Sequence, residues 1–327
     1  MERRSARQNT LRVLLIAWVF VVIAAYHVLH KPFGAANLLA LSQALLGLAG
    51  AGITAGLGTG MGLLLLSRAE MLPIQRLALA SAIGLGGVSL AGLLLGASGL
   101  LQHWVFWGLS LIGLGATARP LWQALQTLRT DPSWRPQGRF ENLLAAYCAC
   151  TLGVALAWAL TPTTAWDGLV YHLTGPKLYL TTGSISHPTD LPYLGFPQLM
   201  EMLFTWSMGL GGERAAAPIH WWYAVLVVVS LVSAGRRWFS GTAGWVAASV
   251  LLSARTVFLL AGWPYVDLAL LLYTTLAFLA LVRWSEGGGR AWLAVSGALV
   301  GLALSTKYTA LAVLPAVSYT HLRAHET

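Results

Sequence analysis

The residues best equipped for chemistry lie close together in the middle of the chain. Trp166-Asp167-Gly168-Leu169-Val170-Tyr171-His172 runs on through Gly175-Pro176-Lys177-Leu178-Tyr179 to Gly183. An acid, an imidazole, an ammonium and several aromatics thus fall within one short stretch of a chain that is only 9% charged. A carboxylate such as Asp167 can act as a general base, drawing the proton from an attacking hydroxyl or amine as a bond forms. It can equally belong to a helix start, because Thr164 stands three residues before it at capping-box spacing. Tyr171 is four residues on and shares the Asp167 face of an α-helix, whereas His172 points elsewhere. Lys177 and His172 are the candidates for contacting a phosphate leaving group and stabilising its growing charge. The plainer alternatives are that Lys177 snorkels to lipid headgroups and that His172 makes a structural hydrogen bond.

Four more polar residues stand out against apolar surroundings. Glu201 lies within the short apolar stretch 198–208, where an exposed polar face would also account for it. Asp267 opens an apolar run after Pro264 and Tyr265, where an acid also complements a helix dipole. Arg255 and Lys307 fall inside apolar runs, and charges there default to a cavity or a partner. An Arg255–Asp267 pair of purely structural meaning is the alternative for the first of them.

The elements that carry these residues follow from composition. The chain has 327 residues, 57% of them hydrophobic. Soluble domains carry about 25% charged residues, far more than this. Repeated apolar runs of about 18 residues or more read as helical spans, and the alternation of barrel strands is absent. The fold class is all-α, a polytopic transmembrane helical protein. Nine spans are expected, at roughly 12–30, 40–66, 77–97, 100–118, 141–160, 215–234, 241–261, 264–282 and 291–314. The second holds Gly52, Gly56 and Gly60 at four-residue spacing, with Gly58 and Gly62 likewise, which lets helices approach closely. Cys148 and Cys150 share one apolar run but point to different helix faces, so they read as packing residues.

Orientation follows from the basic residues. With the N-terminus in the cytoplasm, fourteen of the twenty Lys and Arg fall on cytoplasmic positions and three outside, namely Lys31, Lys177 and Arg214. The net charge of +9 is thereby explained by sidedness, and no nucleic acid is implied. The same orientation puts segment 161–214 on the non-cytoplasmic face of a plasma (inner) membrane. Within it, Gly175-Pro176 should interrupt a helix, a second piece should run from Pro176 and stop at Gly183, and Pro188, Pro192 and Pro197 should be extended or turning. Residues 198–208 are too short to span and are expected to lie along the membrane interface. Trp221, Trp222, Trp263 and Tyr265 fit an outer aromatic belt.

Trp166-Asp167-Gly168-Leu169-Val170-Tyr171-His172 with Pro176-Lys177 and Tyr179, Gly195-Phe196-Pro197-Gln198 with Glu201, Tyr265-Val266-Asp267 and Gly301 through Thr306-Lys307-Tyr308-Thr309 together resemble one group. It is the membrane glycosyltransferases of the GT-C fold, of the protein-mannosyltransferase and aminoarabinose-transferase kind (glycosyltransferase family 39 type). The resemblance covers about residues 141–317. It implies a polyprenyl-phosphate-linked sugar donor, a glycan, lipid or protein acceptor, and transfer on the non-cytoplasmic face within membrane lipid. It also implies that the key acid of the first outer loop corresponds to Asp167. Beside it, Lys177, His172, Arg255 and Lys307 are the basic groups assigned to the donor phosphate, with Tyr171, Asp267 and Glu201 in support. Many members carry two adjacent acids in that loop. Here Gly168 follows Asp167, so no cofactor is assigned and a divalent metal is left open without being indicated.

This gives three regions: a four-span extension with a basic loop over 1–140, an incomplete GT-C-like core over 141–317, and a tail over 318–327. The tail, Ser318 to Thr327, turns abruptly polar and reads as a translated adaptor string, so the chain is expected to be truncated near Val317 and inactive as it stands. Its His321, Arg323, His325 and Glu326 are not taken as a metal site. The rival function classes are a lipid-linked glycan flippase or transporter, and a glycan polymerase or ligase. A transporter should spread its charges along a midplane path and show symmetric broken helices. Here the acids gather toward one face.

Overall fold

The computed structural model describes residues 2–30, 34–66, 71–186 and 190–312. Lys31, Arg68, Pro188 and the whole tail 318–327 lie outside the described residues. Two compact units divide the chain, Met1–Gln43 and Ala44–Thr327. In the first unit, helix α1 (Glu2–His30) is apolar from Leu14 onward, with its Leu, Val, Ile and Phe side chains exposed. Such a surface suits lipid.

Helix α2 (Ala35–Leu65) begins in the first unit and continues into the second. The second unit goes on with α3 (Pro73–Ala97), α4 (His103–Thr130) and α5 (Gly138–Ala159). Then come the short helices α6 (Thr174–Thr182) and α7 (Leu199–Gly211), followed by α8 (Ala216–Trp238). The chain continues with α9 (Gly241–Ser253), α10 (Arg255–Gly262), α11 (Asp267–Arg283) and α12 (Arg290–Thr306). Among the described residues, five helices are long and apolar enough to cross a membrane, or six if α9 and α10 form one bent span. Leu14–His30 and Arg290–Thr306 are shorter apolar helices. The polytopic helical class therefore holds, while nine crossings are not established. Over the expected span 241–261 the chain forms two helices that meet at 77°.

Small residues explain the closest crossing. A Cβ added at Gly62 would fall 1.9 Å from the Ala80 carbonyl oxygen, and one at Gly84 would fall 1.7 Å from that of Gly58. Helices α2 and α3 thus meet backbone to backbone, with Thr59 and Ser81 sharing a 2.7 Å hydroxyl hydrogen bond at the contact. Gly52, by contrast, faces open space.

Helix α7 is the centre of the bundle. Every residue from Leu199 to Leu210 is buried, so the exposed polar face weighed for Glu201 is corrected: this helix packs on all sides against protein. Its apolar composition suits that place, because there is no wet side to serve. Trp206 Nε1 donates to Ser110 Oγ on α4 at 3.0 Å, and the Gly209 carbonyl accepts from His103 at 2.7 Å. At the end of the bundle where α8 and α11 finish, Glu141 takes Arg236 and Thr242, and Glu286 takes Arg237. The opposite end, where α5 finishes and α11 begins, holds the site.

Candidate functional site

Segment 161–186 forms one wall of the site. Ala165 N–H bonds Thr163 Oγ1 at 3.3 Å, so Thr163, not Thr164, supplies the hydroxyl at this helix start. Asp167 makes no side-chain cap to the turn that follows it. That turn, Gly168–His172, is π-helical, closed by Leu173 N–H to the Gly168 carbonyl at 2.9 Å. A π turn is wider than an α turn, with bonds from i to i+5. Tyr171 and His172 both line the cavity that Asp167 lines, which corrects the expectation that His172 points elsewhere. The helix break also differs: α6 runs through Gly175-Pro176 and the interruption is at Leu173. It stops as expected at Gly183, whose φ of +73° is the left-handed cap that glycine adopts freely.

Asp167, Tyr171, His172, Glu201, Asp267 and Lys307 all line one cavity of about 260 Å³. Val266, Thr306, Tyr308, Thr309 and side chains of the 193–198 segment other than Gly195 complete its wall. The His172 ring nitrogen Nδ1 lies 2.6 Å from Glu201 Oε1, with both side chains buried. Glu201 sits in the first turn of α7, where the helix dipole favours a carboxylate. Across the cavity, Lys307 donates to Asp267 Oδ1 at 2.8 Å. Asp267 opens α11, and Lys307 is the extended residue that ends α12. Lys307 is thus at a helix end beside the cavity, not within a continuing span over 291–314.

Aromatic rings form the walls. Tyr171 and Tyr193 stack with centroids 5.2 Å apart, and Phe196 meets Tyr193 edge-on at 5.8 Å. Burial, with the Asp167 carboxylate beside it, pushes the Tyr171 hydroxyl well above its ordinary pKa, so it remains a donor. The same two causes raise Tyr265. Gln198 steadies the loop by accepting from the Tyr179 hydroxyl at 2.8 Å and donating to the Leu194 carbonyl.

Two expected phosphate contacts stand elsewhere. Lys177 pairs with Glu213 at 2.9 Å, about half-exposed, away from the cavity lining. Arg255, at the α9–α10 bend, borders a separate cavity with Tyr147, Thr151 and Phe258. The Arg255–Asp267 alternative is corrected, since the partner of Asp267 is Lys307. Among the described residues, no group of three or more His, Cys, Asp or Glu side chains could hold a metal ion.

One positioning residue escaped the sequence reading. His220 of α8 is fully buried, with Nδ1 2.7 Å from the Trp263 carbonyl and Nε2 accepting Leu268 N–H at 3.2 Å. It clamps both sides of the turn that delivers Asp267. The available signal was a histidine inside an apolar run, where an ionisable group is costly without a purpose.

No curated protein and no solved structure matches the chain. A family model does: residues 214–325 match the dolichyl-phosphate-mannose-protein mannosyltransferases. The matched stretch contains Asp267 and Lys307 and leaves Asp167, His172 and Glu201 outside it. Over that stretch the chain is similar to this family, consistent with the GT-C-fold membrane glycosyltransferase to which its motifs point.

Proposed function

We propose that the protein transfers a sugar from a polyprenyl-phosphate donor to an acceptor on the non-cytoplasmic face of the plasma membrane. The reaction is a single in-line displacement at the anomeric carbon. Asp167 takes the proton of the acceptor hydroxyl or amine while the acceptor atom bonds to that carbon. The bond from the anomeric carbon to the phosphate oxygen breaks on the opposite side, its electron pair leaving with the polyprenyl phosphate, and configuration inverts. Lys307, oriented by Asp267, meets the charge that grows on the departing phosphate. Residues 141–317 form the catalytic core in this reading, with 1–140 as an extension before it.

The observation that carries the proposal is the juxtaposition of Asp167 and the Lys307–Asp267 pair around one cavity at the end of the bundle. Lys177 and Arg255 drop out of the donor-phosphate role, because neither lines that cavity. The test uses purified full-length protein in vesicles containing a polyprenyl-phosphate sugar and candidate acceptors. Release of bare polyprenyl phosphate coupled to glycosylated acceptor is expected. Intact donor accumulating on the opposite leaflet, without release, would make the protein a flippase instead.

A further inference from the structure

The Glu201 carboxylate is half used. It is 5% exposed, and its Oε1 receives His172 while its Oε2 is buried with no hydrogen-bond partner. Buried carboxylate oxygens are rarely left this way, because the lost hydration is uncompensated. The group cannot easily swing out to water. Its helix is buried on all sides, and Thr205 Oγ1 bonds the Glu201 carbonyl at 2.7 Å. Yet Glu201 lines the same cavity as Asp167. With His172 donating to one oxygen, the other can only accept, so the missing partner is a donor.

The charges in the cavity say which kind of donor. Three carboxylates line it, Asp167, Glu201 and Asp267, against one ammonium, Lys307, which Asp267 already holds. A phosphate near Glu201 would be repelled. A neutral hydroxyl would not. The Tyr171 and Tyr193 rings line the same cavity and give it an apolar wall, suited to the C–H groups of a sugar ring. A cavity of about 260 Å³ has room for a monosaccharide.

We infer that the free oxygen of Glu201 accepts one hydroxyl of the donor's sugar ring and so selects the sugar-bearing polyprenyl phosphate over the bare lipid. His172 fixes the aim of the carboxylate and is a positioning residue. This inference rests on the glycosyltransferase reading above. A hydrogen bond to a charged acceptor in a buried site is worth roughly tenfold to a hundredfold in affinity.

The test measures binding rather than turnover. The full-length protein in detergent is titrated with undecaprenyl phosphate, with its mannosyl derivative, and with the monodeoxy-mannosyl series. Wild type should prefer the mannosyl lipid over the bare one, and removal of one particular hydroxyl should erase roughly tenfold or more. Glu201→Gln keeps the size and can still accept from His172, but turns the free position into a donor. It should lose the preference while binding bare lipid as wild type does, and the sensitive deoxy analogue should cost it nothing further. A Glu201→Gln protein that keeps the full preference overturns the inference. So does a wild type indifferent to every deoxy position, a result that does not depend on the variant folding. Wild type that binds neither lipid would sink the glycosyltransferase reading itself, a different failure from the first two.

Discussion

Lys307 and Asp267 are forty residues apart in sequence, and their side chains meet at 2.8 Å. The contact ties the end of α12 to the start of α11 at the mouth of the cavity. Both side chains are partly open to solvent, with Lys307 43% exposed, so the pair contributes little to stability, about 1 kcal/mol or less. Its value lies in holding an ammonium where a departing phosphate needs one. Lys307→Met should therefore leave unfolding nearly unchanged, raise KM for the donor roughly tenfold or more, and lower kcat. Lys307→Arg should recover part of the loss. Steady-state kinetics in vesicles, beside thermal unfolding in detergent, separates the two effects; a large loss of stability with unaltered KM would make the pair a strut.

Asp167→Asn removes the proposed base with almost no change in volume. Transfer should fall roughly 10²- to 10⁴-fold, with expression and insertion intact. Near-normal turnover would return Asp167 to a role in holding the helix start.

The clamp at His220 predicts a structural phenotype. His220→Ala leaves the Leu268 N–H unpaired in a buried place and takes from the Trp263 carbonyl one of its two donors, the Tyr265 N–H being the other. A loss of about 2 kcal/mol or more is expected, with weakened donor binding because the turn before Asp267 loosens. Hydrogen exchange at residues 263–268 would report the loosening, and unchanged protection there would contradict the clamp.

Glycines on different faces of α2 should differ sharply in tolerance. Gly62→Ala drives a methyl into the Ala80 carbonyl and should force α2 and α3 apart, destabilising by roughly 1–3 kcal/mol. Gly52→Ala meets nothing within 4 Å and should be neutral or slightly stabilising. Paired melting curves in one detergent decide it.

Sidedness can be read directly. Trp166 is exposed beside Asp167, and Cys150 is exposed while Cys148 is buried. In a Cys150→Ser background, Trp166→Cys should react with a membrane-impermeant thiol reagent in intact cells. Labelling that needs the bilayer broken first would place Asp167 on the cytoplasmic side and end the proposed reaction.

Sequence alone determined what local patterns can carry. Apolar runs gave the helical membrane class, because hydropathy and length decide insertion without reference to partners. Gly183 marked the end of α6, because only a residue free to adopt positive φ stops a helix there so readily. The cluster from Trp166 to Lys177, with Glu201, Asp267 and Lys307, was legible as chemistry because polar groups are rare in such surroundings. Tertiary structure decided which of them meet. Spacing on an ideal α-helix turned His172 away from Asp167, yet in the fold both line one cavity. Glu201 looked like a polar face until helix α7 proved to have no wet side. Lys177 and Arg255 were indistinguishable from Lys307 as intramembrane or interfacial cations. Partner choice among them depends on how α11 and α12 pack and where α9 bends, which are sums over many distant contacts that no local window contains. His220 was missed for the same reason: its meaning lies in a carbonyl and an N–H more than forty residues away, which only the fold brings to its two nitrogens.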